Sequence, residues 1–275
     1  MAHERLHTGG MCTMTSQSVT SQMGRSARPL DGLKVLDLGD LIASAYCTKL
    51  LADLGADVIK VEPVNGDTAR RWGPFPEDIP DMERSGLYLY LNLGKRGITL
   101  NVDDPAGRTI LGKLLGWADI LVTNYDALRL ESLEIDPLNL QRSYPQLVVV
   151  TLLPYGWDSP KRDYPSHPFT NFVASSVAMR IGEPETHPLV VPLSVADYIG
   201  GINGAGAAVL AVWARRTIGK GQHVDVAIVN NLALLFSAGI TTWQLTVITT
   251  VAKMSLKSAN MWPKEAQNMS SFIGS

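Results

Sequence analysis

Apolar positions along the chain alternate between two spacings, and the changes of spacing mark its elements. Leu33, Val35, Leu36 and Leu38 form a short apolar run that ends at Gly39. Leu50, Leu51 and Leu54 then recur at helical spacing, and Gly55 stands where a helix C-cap glycine is expected. Val58, Ile59 and Val61 make a second apolar strand, closed by Glu62 and Pro63. Residues 29–63 therefore read as strand, turn, helix, turn, strand: a βαβ unit opening a parallel sheet. Such a unit usually places a ligand at the carboxyl ends of its strands. Its first turn, Gly39-Asp40-Leu41-Ile42-Ala43-Ser44, lacks the G-x-G-x-x-G of a dinucleotide binder, which argues against an NAD enzyme.

The same reading continues downstream. Residues 65–86 form a polar loop rich in Pro and Gly, a place for a lid or a ligand contact. The apolar stretch 87–91 reads as a strand, and Ile98-Thr99-Leu100 as another. Asp104 is suited to cap a helix that begins at Pro105 and buries Ile110, Leu111, Leu114 and Leu115. Residues 119–123 and 147–152 are further strands. The stretch 154–192 is rich in loop residues, with a helix over about 170–179. A small-residue helix over 200–216 ends at Gly219, and 222–229 resumes a strand. This alternation predicts an α/β fold, a mostly parallel sheet covered by helices. Beyond Ser237 the periodicity is poor. The expected organisation is an N-terminal extension over 1–28, a domain over 29–236 and a divergent tail over 237–275.

Composition narrows the partners. A hydrophobic content of 45% is ample for one large core, and a net charge of -2 gives no reason to expect nucleic acid or an anionic membrane. No run reads as a membrane span, the richest candidate, 224–240, being broken by Asp225, Asn230 and Asn231. Cys12 and Cys47 are the only cysteines, which fits a reducing cytoplasm and supplies no metal cluster. The first 28 residues lack the apolar core of a signal peptide.

Several groups are candidates for chemistry. Gly201-Ile202-Asn203-Gly204-Ala205-Gly206 has the glycines of a phosphate loop but no Lys-Ser/Thr after them, so close helix packing is the better reading. Asn92, Lys95 and Arg96 can grip phosphates, or form a solvated loop. Glu183 and Glu185 stand in a proline-bounded loop that could present a carboxylate nucleophile. His167 and Asp197, thirty positions apart, could act as an acid–base pair; a loop histidine and a helix-capping aspartate are the plain alternatives. H-E-x-x-H, C-x-x-C and G-x-S-x-G are all missing from the sequence, which argues against a metal centre and that class of serine hydrolase.

Taken in order, the segment 29–63, Asn92 with Lys95-Arg96, Ala118-Asp119…Asn124-Tyr125, Tyr155-Gly156, 182–188, Ala196-Asp197…Gly200 and 217–225 resemble the family III CoA-transferases. That group includes formyl-CoA, carnitine and bile-acid CoA-transferases and the α-methylacyl-CoA racemases. The resemblance covers roughly residues 29–236. It implies a Rossmann-like large domain with helices on both faces, incomplete at the C-terminus, and an interlocked homodimer. It also implies coenzyme A or acyl-CoA as substrate, with no tightly bound cofactor, and a carboxylic acid as second partner. CoA would lie along Leu41, Ile42 and Ala43, with Asn92, Lys95 and Arg96 and the pair Asn124 and Tyr125. The family nucleophile stands twelve positions before Asp197, which is Glu185 here in place of an aspartate.

Two chemistries follow from the resemblance. In the transferase type, the nucleophilic carboxylate attacks a donor thioester and passes through a mixed anhydride and an enzyme-bound thioester. In the racemase type, His167 and Asp197 would exchange an α-proton, although Pro168 replaces the aspartate that racemases carry. A CoA-binding paralogue without catalysis is the third reading. Asp126 and Ser132 stand where the family has cations, Thr186 replaces a glycine after the nucleophile, and the family's small domain is not recognisable after Phe236.

Overall fold

Six parallel strands run in the order β3-β2-β1-β4-β5-β6. They are β1 (Lys34–Asp37), β2 (Asp57–Glu62), β3 (Arg96–Thr99), β4 (Ile120–Thr123), β5 (Val148–Leu153) and β6 (His223–Ala227). The computed structural model describes residues 28–181, 189, 191 and 194–235. This is the doubly wound order, in which chain direction across the sheet reverses between β1 and β4. Strand side chains alternate between two apolar layers. Val35, Val58, Val122, Val148 and Val150 face one, with α1 (Ala43–Asp53) and α7 (Val195–Ile218). Leu36, Ile59, Leu121 and Val149 face the other, with α3 (Pro105–Trp117), α4 (Ala127–Ser132) and α5 (Pro137–Ser143). The expected α/β sheet with helices on both faces is therefore what the chain forms.

The start of α3 matches its sequence signal: Asp104 accepts from the Ala106 amide, and Pro105 occupies the first turn. The stretch 87–91 differs. It lies in α2 (Gly86–Asn92), capped by Ser85, whose Oγ accepts from the Tyr88 amide. A short apolar run does not distinguish strand from helix, and here the cap decided. The helix expected over 170–179 divides into α6 (Pro168–Ala174) and a 3-10 turn at Val177–Arg180, because Ser176 takes a left-handed φ of 66° between them. The small-residue helix starts earlier than expected, at Val195. At 24 residues and a mean hydropathy of 1.4, α7 is long and apolar enough to cross a membrane, against the sequence reading that no run is. Its small residues, Gly and Ala, gave no such signal, and in the fold it packs against α1, β5 and α8 (Ile228–Leu235).

Gly201 and Gly204 explain that packing. A Cβ on Gly201 would stand 2.9 Å from the Ala43 carbonyl oxygen, and one on Gly204 would stand 2.9 Å from Leu152. The glycines let α7 lie directly on α1 and the sheet, as their sequence suggested. Of the extension expected over 1–28 all but Arg28 lies outside the described residues, as does the whole of the tail expected over 237–275.

Candidate active site

The reversal between β1 and β4 opens a crevice at their carboxyl ends, and the first turn lines it. Gly39 begins that turn. A Cβ there would meet Ser44 at 2.3 Å and the Asn124 Oδ1 at 2.6 Å, so only glycine fits. Asn124, just past β4, clasps the turn twice: its Oδ1 accepts from the Asp40 amide at 2.8 Å and its Nδ2 donates to the Asp40 carbonyl at 2.7 Å. Asp67 accepts from the Leu41 amide, and the Asp40 carboxylate accepts from the Thr68 amide and hydroxyl. These bonds hold Leu41 at a left-handed φ of 61°.

Beneath the turn lies a buried ion cluster. Asp37, Lys60 and Asp67 are each 1% exposed or less. Lys60 Nζ donates to the Gly39 carbonyl at 2.7 Å, pairs with Asp67 at 2.8 Å and stands 3.7 Å from Asp37. Lys95 pairs with Asp37 at 3.0 Å and donates to the Ala45 carbonyl and to Asn92 Oδ1. Ser44 and Thr48 hydroxyls complete the Asp37 shell. Burial alone would raise Asp37, but the two ammonium groups and the hydroxyls hold it down at about 2. Against the same burial, Asp37 and Asp67 hold Lys60 above the ordinary lysine range. Burial pushes Lys95 down to about 8 despite Asp37.

Lys95 and Asn92, for which the sequence left a phosphate grip or a solvated loop open, join the ion cluster beneath the turn. Arg96 is placed elsewhere again. It forks onto Asp57 at 2.9 and 2.6 Å, and both begin their strands, so the pair sits at the amino-terminal edge of the sheet, away from the crevice.

Two cavities open along the crevice. The larger, about 510 Å³, gathers Leu41, Ile42, Ala43, Asn124 and Asp197 with Asn171. The smaller, about 350 Å³, lies past the ends of β2 and β3 and is lined by Tyr125 with Pro63, Asn101 and Arg129. Asp197 lies in the first turn of α7 at 8% exposure, and burial pushes its carboxyl up to about 6. Such a group can hold or release a proton near neutral pH. His167 is not brought beside it. It is exposed and caps α6, its Nδ1 accepting from the Phe169 amide. Glu185 lies outside the described residues.

The polar loop 65–86 is tied down. Arg70 forks onto Glu62 at 2.6 and 3.0 Å and stacks 3.7 Å from the Tyr88 ring centre, and the Tyr88 hydroxyl donates to the same carboxylate. Sequence reasoning missed Asp37, Lys60, Asp67 and Asn171. A signal existed for Lys60, a lone cation inside the apolar strand Val58-Ile59-Lys60-Val61. The others are ordinary residues until the fold buries them.

A doubly wound sheet with a crevice at its switch point, and a first turn clasped by side chains instead of a glycine fingerprint, defines an α/β protein with an open cleft at the carboxyl ends of β1 and β4. The model of CoA-transferase family III matches residues 30–263, and the chain belongs to that family. It is 32% identical over 216 residues to the (R)-2-hydroxy-4-methylpentanoate CoA-transferase of Clostridioides difficile, covering 78% of this chain and 54% of that protein. It is also 32% identical over 205 residues to the succinate–glutarate CoA-transferase of Agrobacterium fabrum, covering 74% and 51%. Among solved structures, a CaiB/BaiF family protein from Brucella suis superposes with a TM-score of 0.74 at 29% identity, covering 80% of this chain and 58% of that one. The chain spans about half the length of the curated relatives it matches.

Proposed function

We propose that the chain forms the CoA-binding part of an acyl-CoA:carboxylate CoA-transferase. The observation that carries this reading is the larger cavity, which unites the turn 41–43, Asn124 and Asp197 at the switch point of the sheet. CoA runs along that turn and on toward Tyr125 and the second cavity. No side chain caps α1 at Ile42, so its leading amides are available to an oxyanion.

Glu185 attacks the thioester of a donor acyl-CoA, forming a mixed anhydride and expelling CoA thiolate. The thiolate attacks the glutamyl carbonyl, freeing the donor acid and leaving a glutamyl-CoA thioester. An acceptor carboxylate attacks that thioester and again expels CoA thiolate, which then takes the acceptor acyl group and restores Glu185. Each difficult exchange is divided into easier displacements. The reading includes a homodimer in the cytoplasm.

The engagement of His167 in capping α6 favours transfer over racemisation. The decisive experiment incubates the protein with acyl-CoA donors and hydroxylamine and searches by mass spectrometry for a hydroxamate at Glu185. Labelling at Glu185 supports the transferase. Loss of α-deuterium from acyl-CoA that disappears in His167→Ala and persists in Glu185→Ala replaces it with a racemase. CoA binding without either reaction indicates a CoA-binding protein without turnover.

A further inference from the structure

The charges along the crevice bear on which thioester carrier it accepts. The buried acid Asp197 lies in the larger cavity, so the thioester end of the carrier belongs there and its nucleotide end reaches the second cavity. That cavity suits a nucleoside. Pro63, Val64, Leu100 and Tyr125 give a base an apolar and aromatic wall, and the amides of Asn65 and Asn101 stand in the same lining. A phosphate needs a cation as well. Among the described residues lining the two cavities, the cations are Arg129 and Arg162, against the carboxylates of Asp103, Asp126, Asp163 and Asp197.

Both cations are engaged. Arg129 forks onto Asp103 at 2.7 and 2.9 Å, which occupies the planar edge with which a guanidinium grips phosphate. Asp126 caps the same helix, α4, and accepts from the Arg129 amide, so a second carboxylate stands at that helix end. Arg162 pairs with Asp163 and Glu131 and lies over the Trp157 ring. A phosphate entering the second cavity therefore competes with Asp103 for its cation, and on the way there it passes Asp126 with like charge.

We propose that Asp103 is a specificity-determining residue that masks Arg129 from phosphate, so that the crevice takes dephospho-CoA thioesters at least as well as CoA thioesters. The two carriers differ only in the 3′-phosphate at the nucleotide end, and contacts to the base and the pantetheine arm are common to both. The inference rests on the CoA reading of the crevice and names the carrier that suits the same site.

The test is calorimetric binding of CoA and of dephospho-CoA to the full chain. In the wild type dephospho-CoA is expected to bind as tightly as CoA or more tightly. Asp103 is 60% exposed, so Asp103→Asn leaves the fold intact while it frees the guanidinium. That variant should tighten CoA about tenfold, the low end for one charged hydrogen bond, and leave dephospho-CoA within about twofold. Arg129→Gln added to Asp103→Asn should cancel the gain. Asp126→Asn keeps a capping side chain and should move CoA in the same direction by a smaller factor. Salt gives an independent readout. CoA binding by the wild type should hold or strengthen as salt rises, because screening relieves repulsion, whereas binding by Asp103→Asn should weaken. If neither carrier binds, the CoA reading of the crevice fails and the inference falls with it. If both bind without acyl transfer, the transferase chemistry alone fails, since the comparison needs no turnover. A wild-type preference for CoA of about tenfold or more, or a CoA affinity unchanged in Asp103→Asn, would overturn the masking role of Asp103 and leave the CoA reading standing.

Discussion

Asparagine in place of Asp37 keeps the side-chain shape and removes the anion that Lys60 and Lys95 share. Asp37 is fully buried and held at about 2 from the usual 3.8. At about 1.4 kcal/mol per unit, that shift corresponds to roughly 2.5 kcal/mol favouring the ionised form. The variant also leaves two ammonium groups facing each other without their common partner, and breaking a buried pair typically costs about 3–5 kcal/mol. For a chain of this size the melting temperature should fall by roughly 5–20 °C. The loss also has a pH signature. Without Asp37, Lys95 drops further below its present value of about 8, while the unfolded lysine stays near 10.5. Between those values the unfolded variant binds more protons than the folded one, so its stability rises with pH. Wild type gains stability in the same way above about pH 8. The gap between the two should therefore narrow as pH rises toward about 8 and stay constant from there to about pH 10 in urea denaturation. Arg96→Gln serves as the contrast: its pair with Asp57 is 61% and 46% exposed and is worth under about 1 kcal/mol. If Asp37→Asn stays within 1 kcal/mol of wild type, or its deficit ignores pH, the cluster is not coupled. Lys95 would then be free to serve a ligand, as sequence reading suggested.

Acid should unfold the protein through the same residues. Despite burial, hydrogen bonds from Arg70 and Tyr88 hold Glu62 at about 2, as the lysines hold Asp37. Both folded values lie below the unfolded ones, so their stabilisation is present above about pH 4.5 and fades toward pH 2; a flat stability profile over that window would contradict the geometry. Asp197 has the opposite sign, since its raised value costs stability above about pH 6. Asp197→Asn should gain up to about 3 kcal/mol at pH 8 and little below pH 4, which paired denaturation curves will show. Gly201→Ala places a Cβ against the backbone of α1, at 2.9 Å from Ala43 O and 3.1 Å from Cys47 N. Overpacking of about 1–3 kcal/mol should outweigh a helix-propensity gain of about 1 and displace the turn, lowering CoA affinity by calorimetry. Gly206→Ala meets nothing within 4 Å and should be stabilising.

Much of the fold was legible because its signals are local. The strand and helix spacings of the first βαβ unit, the Asp104-Pro105 start and the small-residue contact of α7 on α1 all stand in contiguous residues. The family motifs also pointed to Leu41, Ile42, Ala43, Asn124 and Asp197, which the structure gathers around one cavity. The stretch 87–91 failed because five apolar residues fit two periodicities, and Ser85 decided between them. His167 stood between two readings, half of an acid–base pair or a plain loop histidine, and in the structure its Nδ1 caps α6.

The charged residues show where sequence stops. Lys95 looks like a ligand-gripping cation beside Arg96, yet one points inward to Asp37, 58 residues earlier, and the other outward to Asp57. Nothing in the spacing of either lysine names its partner. By itself the sequence determined the elements, their parallel arrangement and the family, because periodicity, caps and ordered motifs are properties of neighbouring residues. Only the tertiary structure decided which charges are buried and which line the crevice. That choice depends on β2 and β3 being laid beside β1 on one side and β4 on the other, and a charge enters the interior only where that order brings an opposite charge to meet it.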